Sequence, residues 1–315
     1  MTIPLLILFG PTASGKTKLA TELAKHFESE IISADSMAIY RGMDIGTAKP
    51  SAEERCTPYH LIDICDPWES YSVGMFIEDA AATIAAIHQR GKTVLMVGGT
   101  ALYVKGLLEG IFDGPPANWA LRNSLAKEYP QELYQRLCQI DPVSAQKISC
   151  HDLRRIIRGL EVFYSTGKPI SLWQKQCTNP PALYAPCFIG LAWERQALYD
   201  RIEQRVDQMI QNGLIAETQR LLALPYPLSH TASQAIGYKE TIAALHDSSL
   251  MNDLIPKIKQ NTRRFAKRQL TWLKRFPIHW ISANSQTNFD DIVISAKQIW
   301  EVHDQDTKLA PPNPL

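Results

Sequence analysis

The chain has 315 residues and carries 33 Lys and Arg against 32 Asp and Glu, a net charge of +1 that neither proposes nor excludes a polyanionic partner. Hydrophobic content of 45% and 21% charged residues describe an ordinary globular chain, long enough for a full α/β core and an additional subdomain. No apolar run reaches membrane-spanning length, Met1 to Phe9 lacks the basic start and cleavage site of a signal peptide, and the six cysteines form no C-x-x-C pair; a cytoplasmic location with reduced thiols is expected.

In chain order, the apolar run Ile3 to Phe9 reads as a buried strand, and it leads directly into "GPTASGKT", Gly10 to Thr17. This is a complete G-x-x-x-x-G-K-[ST] loop in the strand-to-helix context that it requires. Gly10 and Gly15 free the backbone to turn N–H groups toward an anion, Lys16 adds charge, and the Thr17 hydroxyl is placed to meet a magnesium ion. The helix that begins near Lys16 presents its positive end to the same anion. The motif specifies a polyphosphate without saying which one. Further strands are expected at "EIISAD" ending at Asp35, at "HLIDI" from His60 to Ile64 and at "TVLMVGG" from Thr93 to Gly99, with the amphipathic helix "VGMFIEDAAATIAAIHQRG" between them and closed by Gly91. Alternating strands and helices imply a parallel sheet, so the fold class is α/β, a P-loop NTPase-like core with an inserted small helical domain.

From Gly114 to about Pro186 strand signal fades, and nine Lys or Arg face five acids. Leu125, Leu133, Leu137, Ile156, Ile157, Leu160 and Phe163 can form a core of their own there. The expected organisation is a core of residues 1–113 and 187–300, a helical insert over 114–186 and a flexible tail over 301–315. "CFIGLAW" returns the chain to the sheet, and a long helical region follows to about Phe276.

Three features carry chemistry. Asp35 ends the second strand, and strand carboxyl ends line the phosphate crevice of such folds, so its carboxylate can accept a proton from an incoming nucleophile. A phosphoryl-transfer ATPase would also show an apolar strand ending in a magnesium-binding Asp, yet "VLMVGGT" ends in Gly98, Gly99 and Thr100, with Asp63 and Asp66 only weaker substitutes. Two basic stretches need a partner: "HDLRRIIRGLE", with Arg154, Arg155 and Arg158, and "PKIKQNTRRFAKRQLTWLKRF", which holds no acid at all. On the second, Arg264, Arg268 and Arg275 share one helical face while Phe265, Leu270, Trp272 and Leu273 supply a buried one, the footprint expected for a nucleic-acid backbone. Three function classes remain: an enzyme acting on nucleic acid, a P-loop small-molecule kinase in which Asp35 activates a hydroxyl, and a non-catalytic RNA-binding protein.

The blocks "GPTASGKT", "ISADSMAIYRGMDIGTAKP", "HLIDICDPWESYSV", "VGGTALYVKGLLEG", "DLRRIIRGLEVF", "RIEQRVDQMIQNGLIAE", "QAIGYKE" and "TRRFAKRQLTWLKR" occur in one order over nearly the whole chain to Trp280. In that order they closely resemble the tRNA dimethylallyltransferases, or tRNA isopentenyltransferases. The resemblance implies magnesium-dependent transfer of a dimethylallyl group from dimethylallyl diphosphate to N6 of the adenosine immediately 3′ of the anticodon. It implies that Gly10, Pro11, Thr12, Ala13, Ser14, Gly15, Lys16, Thr17 and Arg205 hold the diphosphate, with Thr17 also on Mg2+. Asp35, Thr100 and Arg122 would stand at the reacting centre. Asp35, Ser36, Met37 and Ala38, then Arg154, Arg155, Ile156, Ile157 and Arg158, then Gln234, Ala235, Ile236, Gly237, Tyr238 and Lys239 would touch the anticodon stem-loop of the tRNA. A monomer, with no membrane association, is expected. Ala38 and Arg154 depart from the family pattern, which often carries Gln at both places.

Overall fold

The structure, a computed structural model, describes residues 2–112, 114–175 and 183–309, with side chains to residue 307. Strands β1 (Ile3–Phe9), β2 (Glu30–Ala34), β3 (Tyr59–His60), β4 (Val94–Gly98), β5 (Tyr184–Trp193) and β6 (His279–Ala283) form one sheet in the order β3-β2-β4-β1-β5-β6. Every pairing is parallel. β2 and β4 are buried at every position, as in a parallel sheet covered on both faces: β4 runs apolar without alternation, while β2 also buries Ser33 and Glu30, the latter paired with His60 and Arg90.

The helices are α1 (Lys16–His26), α2 (Val73–Gln89), α3 (Ala101–Glu109), α4 (Trp119–Leu125), α5 (Pro130–Ile140), α6 (Pro142–Ala145), α7 (Leu153–Thr166), α8 (Ile170–Lys175), α9 (Arg195–Gln211), α10 (Leu214–Leu222), α11 (His230–Ser233), α12 (Tyr238–His246), α13 (Leu254–Leu273) and α14 (Phe289–Leu309). Their ends follow local chemistry. Ser72 caps α2 by accepting from the Met75 N–H, Asp152 caps α7 by accepting from the Arg155 N–H, and α7 stops at Gly167, whose φ of 70° a side chain would resist.

The chain divides into two compact units, Met1–Lys105 with Ala182–Leu315, and Gly106–Pro181. In the first, one core cluster joins Leu6, Leu8, Leu19, Leu23, Leu95, Ile189 and Trp300, and another joins Tyr40, Met43, Val206, Leu214, Tyr238 and Ile258. In the second, Leu125, Leu133, Leu137, Ile156, Ile157 and Leu160 pack together with Ala145, while Phe163 stays outside that cluster. The buried Asp141 carboxylate organises this unit further, accepting from the Ser144 and Ser171 N–H groups and so joining the starts of α6 and α8.

Several expectations need correction. The division falls within α3, ahead of the composition shift at Gly114, and β5 begins at Tyr184 rather than Cys187. The expected strand from His60 to Ile64 ends at His60, because Leu61 and Asp63 both take φ of 56° and leave the extended region. Beyond Phe276 the chain adds β6, an edge strand with a half-exposed face. Residues 301–309 continue α14, whereas 310–315 lie outside the described residues. Cys177 also lies outside them; the other five cysteines are unpaired.

Candidate active site

Parallel strands place their carboxyl ends on one edge of the sheet, and there the chemistry gathers. The loop Gly10–Thr17 leaves β1, Asp35 leaves β2, and Gly99 and Thr100 leave β4, which lies between the two. The ends of β2 and β4 are stitched together. The Thr100 N–H donates to the Ala34 carbonyl (3.2 Å), and the Thr100 hydroxyl accepts from the Ser36 N–H (3.1 Å). Asp35 folds into an Asx turn in which Oδ1 accepts from the Met37 N–H at 2.8 Å and, more weakly, from the Ala38 N–H at 3.4 Å. Its second oxygen has no hydrogen bond among the described residues.

The loop is braced on several sides. Lys16 Nζ donates to the Gly10 and Pro11 carbonyls, both at 2.8 Å, and Trp193 Nε1 donates to the Ser14 carbonyl at 2.8 Å. Arg201 lies over the Trp193 ring, its guanidinium carbon 4.1 Å from the ring centroid, and donates through Nε to the Ala13 carbonyl at 2.8 Å. Gln269, from α13, accepts from the Thr12 N–H at 2.8 Å and donates to the Gly99 carbonyl at 3.3 Å. The Thr12 amide is therefore turned to Gln269, and the backbone donors left for an anion begin at Ala13. The Ser14 hydroxyl is buried without a partner, a group suited to a phosphate oxygen.

The electrostatics favour an anion. Burial, then the nearby Arg205, bring the Lys16 ammonium down to about 7, and Asp35 opposes that shift. Desolvation likewise lowers Arg205 and Arg201, with Asp35 again opposing it at Arg205. Arg205 makes one long bond, from Nη2 to the Thr47 carbonyl (3.3 Å), and its Nε is buried without a partner. Arg201 and Arg205, four residues apart on α9, share one helical face. A polyphosphate here would supply the charge that these cations lack and the acceptors that Ser14 Oγ and Arg205 Nε lack.

The loop that supplies the Thr47 carbonyl is fixed by a buried carboxylate. Glu217 accepts from the Asp44, Ile45 and Gly46 N–H groups at 3.0–3.4 Å and from the Tyr238 hydroxyl at 2.6 Å. Tyr238 was expected against tRNA; it is fully buried, and its hydroxyl also accepts from the Gly46 N–H, so its task is to hold this loop. Of its segment, only Gln234 and Lys239 are exposed, while Ala235 and Gly237 are buried and Ile236 is half-buried. A cavity of about 770 Å³ is lined by Arg205, Gln208 and Met209 of α9, by Asn212 just after it and, across from them, by parts of the segment between Arg41 and Arg55 together with Asp63. Asp63 and Asp66, the substitute metal ligands, are taken up in ion pairs: Asp63 with Lys49 (2.6 Å) and Arg55 (2.8 Å), Asp66 with Arg41 (2.9 Å).

The remaining candidates lie in the Gly106–Pro181 unit. Arg122 grips the fully buried Glu161 bidentately, through Nε and Nη2 at 2.8 Å each, and lies over the Trp119 ring. Arg158 donates to the same carboxylate at 2.5 Å, and the Asn118 N–H adds a fourth bond at 2.6 Å. These partners hold the Glu161 carboxyl below its usual range against the opposing pull of burial. Arg154 and Arg155 are exposed, whereas Ile156 and Ile157, also named as tRNA contacts, are core residues. On α13 the buried positions are Leu254, Ile258, Ala266, Gln269 and Leu273; Phe265 is exposed beneath Arg268, and Trp272 is half-exposed beneath Arg275.

Sequence reasoning named neither Gln269, Arg201, Trp193 nor Glu217. Arg201 had a signal, its i,i+4 spacing from Arg205; the other three act across 170 residues or more, which no local pattern encodes.

A P-loop α/β protein whose phosphate cradle faces a strand-end carboxylate, with no carboxylate at the end of β4, is a protein for transfer chemistry at a polyphosphate-bearing substrate. The sequence profile of the IPP transferase family matches residues 38–276 and that of isopentenyl transferase matches residues 3–60. The chain belongs to the IPP transferase family. It is 46% identical over 285 residues to tRNA dimethylallyltransferase 2 of Geotalea uraniireducens, covering 89% of this chain and 92% of that one, and 45% identical over 303 residues to the tRNA dimethylallyltransferase of a Thermoanaerobacter species, covering 93% and 96%. The full-length tRNA isopentenylpyrophosphate transferase of Bacillus halodurans superposes with a TM-score of 0.72 at 39% identity, over 98% and 99% of the two chains. A eukaryotic dimethylallyltransferase acting on tRNA superposes with a TM-score of 0.80 at 27% identity, over 99% of this chain and 81% of that one.

Proposed function

We propose that the protein transfers a dimethylallyl group from dimethylallyl diphosphate to N6 of the adenosine immediately 3′ of the anticodon in tRNA, releasing diphosphate. The observation that carries this reading is the pairing of the cation cluster at the phosphate loop with Asp35, on the ends of β1 and β2, the two strands that flank β4 in one sheet. Loop amides, Lys16 and Arg205 stabilise the charge that develops on the diphosphate as the allylic C–O bond breaks. The N6 nitrogen forms the new C–N bond, and its departing proton goes to Asp35, whose Asx turn orients the carboxylate. Thr100 serves at the same centre by fixing the backbone beside Asp35.

The donor set fits a magnesium ion held chiefly by substrate: no group of three or more His, Cys, Asp or Glu gathers among the described residues, and Thr17 offers one exposed hydroxyl. Mg2+ characteristically takes phosphate oxygens, water and few protein ligands, and when bound it supplies further charge neutralisation to the leaving group. A monomeric, cytoplasmic enzyme is the accompanying reading; no helix among the described residues is long and apolar enough to cross a membrane.

The test is incubation with labelled dimethylallyl diphosphate and unmodified tRNA, with ATP in a parallel tube. Label is expected in tRNA without ATP. Turnover of ATP with no label transferred would overturn the reading in favour of a kinase.

A further inference from the structure

Gln269 stands on the basic helix α13, yet its side chain is 8% exposed and its amide is spent on the phosphate site. Its oxygen takes the Thr12 N–H at the tip of the loop, and its nitrogen reaches the Gly99 carbonyl at the end of β4. One donor and one acceptor are needed in that order, and an amide supplies both; a carboxylate would oppose the Gly99 carbonyl, and an apolar side chain would leave both backbone groups unpaired.

We propose that Gln269 is a positioning residue for the transfer reaction, locking the diphosphate loop in register with the strand ends that carry Thr100 and Asp35. The inference rests on the diphosphate reading above. Two features of the loop give Gln269 this weight. Lys16 holds the Gly10 and Pro11 carbonyls from inside, and it must turn to the anion when diphosphate binds, so the outer tie to Thr12 is what then keeps the loop in place. Gly99 is also shaped by Gln269: a Cβ there would stand 2.1 Å from Gln269 Nε2, and beyond the Gln269 amide its next neighbour is the Gly10 carbonyl at 3.9 Å. Thr100 follows directly and accepts from the Ser36 N–H beside Asp35, so a shift of the β4 end moves leaving-group cradle and general base relative to each other. Transfer rates are sensitive to such displacements because they depend on near-attack geometry.

The experiment measures inorganic diphosphate binding by calorimetry and steady-state dimethylallyl transfer for wild type, Q269E, Q269A, G99A and the double variant Q269A/G99A. Thermal unfolding and tRNA binding are followed in parallel. Q269E and Q269A are expected to weaken diphosphate binding about tenfold and to lower kcat, with tRNA affinity within about twofold of wild type. G99A is expected to reproduce the loss, because its methyl displaces the amide. The double variant should then be no worse than Q269A alone, a non-additivity that general destabilisation would not produce. Wild-type diphosphate affinity in Q269E and Q269A overturns the inference, and so does strict additivity of Q269A and G99A. If wild type itself binds no diphosphate, the functional reading falls and takes this inference with it; wild-type binding with unaffected variants sinks the inference alone.

Discussion

Diphosphate binding should draw a proton onto Lys16. In the free protein, burial and the neighbouring Arg205 bring this lysine to about 7, and a diphosphate replaces that unfavourable setting with an anionic partner that favours the charged form. Below pH 7 Lys16 is already protonated and binding takes up nothing. Above pH 7 the free protein carries neutral Lys16, so each binding event must charge it, and the Lys16 share of the affinity falls about tenfold, or about 1.4 kcal/mol, per pH unit until the pH passes the raised value of the complex. At pH 8, one unit above the free value, Lys16 should take up about 0.9 proton per diphosphate. Inorganic diphosphate itself still carries a proton at pH 8 and releases part of it into a cationic site, so the Lys16 uptake is read as a difference between wild type and a variant that cannot titrate there. The assay is calorimetric titration of inorganic diphosphate at pH 8 in buffers of differing ionisation enthalpy, where the slope of apparent enthalpy gives the protons exchanged. Lys16→Arg is the control, since a guanidinium does not titrate in this range and leaves only the ligand's own proton exchange, so wild type should take up about 0.9 proton more than the variant. An equal slope in the two proteins would refute the reasoning.

Asp35→Asn keeps an acceptor for the Met37 N–H and removes the base; transfer should fall by about 10²- to 10⁴-fold with tRNA binding intact, and lost tRNA binding in a filter assay would make Asp35 structural. Tyr238→Phe deletes a hydroxyl that donates to Glu217 and accepts from the Gly46 N–H; it should lower stability by about 1–2 kcal/mol in denaturant titration while leaving tRNA affinity unchanged, and the reverse pattern would restore Tyr238 as a tRNA contact. Gly98→Ala sets a methyl 2.1 Å from the Ala34 carbonyl, a backbone atom with nowhere to go; a cost of about 2–3 kcal/mol is expected, and unchanged thermal stability would contradict the tight β2–β4 junction.

Much of the fold was legible because its strongest signals are local. β1 and the phosphate loop coincide with the motif, and β4, continuously apolar, and β2, with its Ile31–Ile32 pair, read as buried strands. The failures have physical causes. "HLIDI" is apolar enough to be a strand, but positive φ values at Leu61 and Asp63 end it, and Asp63 is turned there into ion pairs with Lys49 and Arg55. The β6 segment offers only two buried side chains, Ile281 and Ala283, too faint a pattern against the preceding helix. On α13 Phe265, Leu270, Trp272 and Leu273 were expected inward, yet Phe265 lies outward under Arg268 while the polar Gln269 is inward, where the phosphate loop and the end of β4 each offer it a backbone partner. Tyr238 and the Ile156–Ile157 pair show the converse limit. A family block says that residues matter together and leaves open which of them meet a ligand and which hold the others in place.

The end of β4 makes the distinction from phosphoryl-transfer machines a steric one. Such machines place a magnesium-binding carboxylate at a strand end, and here two glycines stand in its place. At Gly98 a side chain would meet the Ala34 carbonyl, and at Gly99 it would meet the Gln269 amide, both at 2.1 Å. A side chain at Gly98 would have to part β2 from β4, and one at Gly99 would have to displace the Gln269 amide from the loop. The room denied to that side chain is used to bring Thr100 against Ser36 and so to seat Asp35, the group that must face an incoming nitrogen. On the proposed function, a phosphate loop of common design then stabilises a departing diphosphate, while the end of β2, one strand beyond β4, serves the nucleophile.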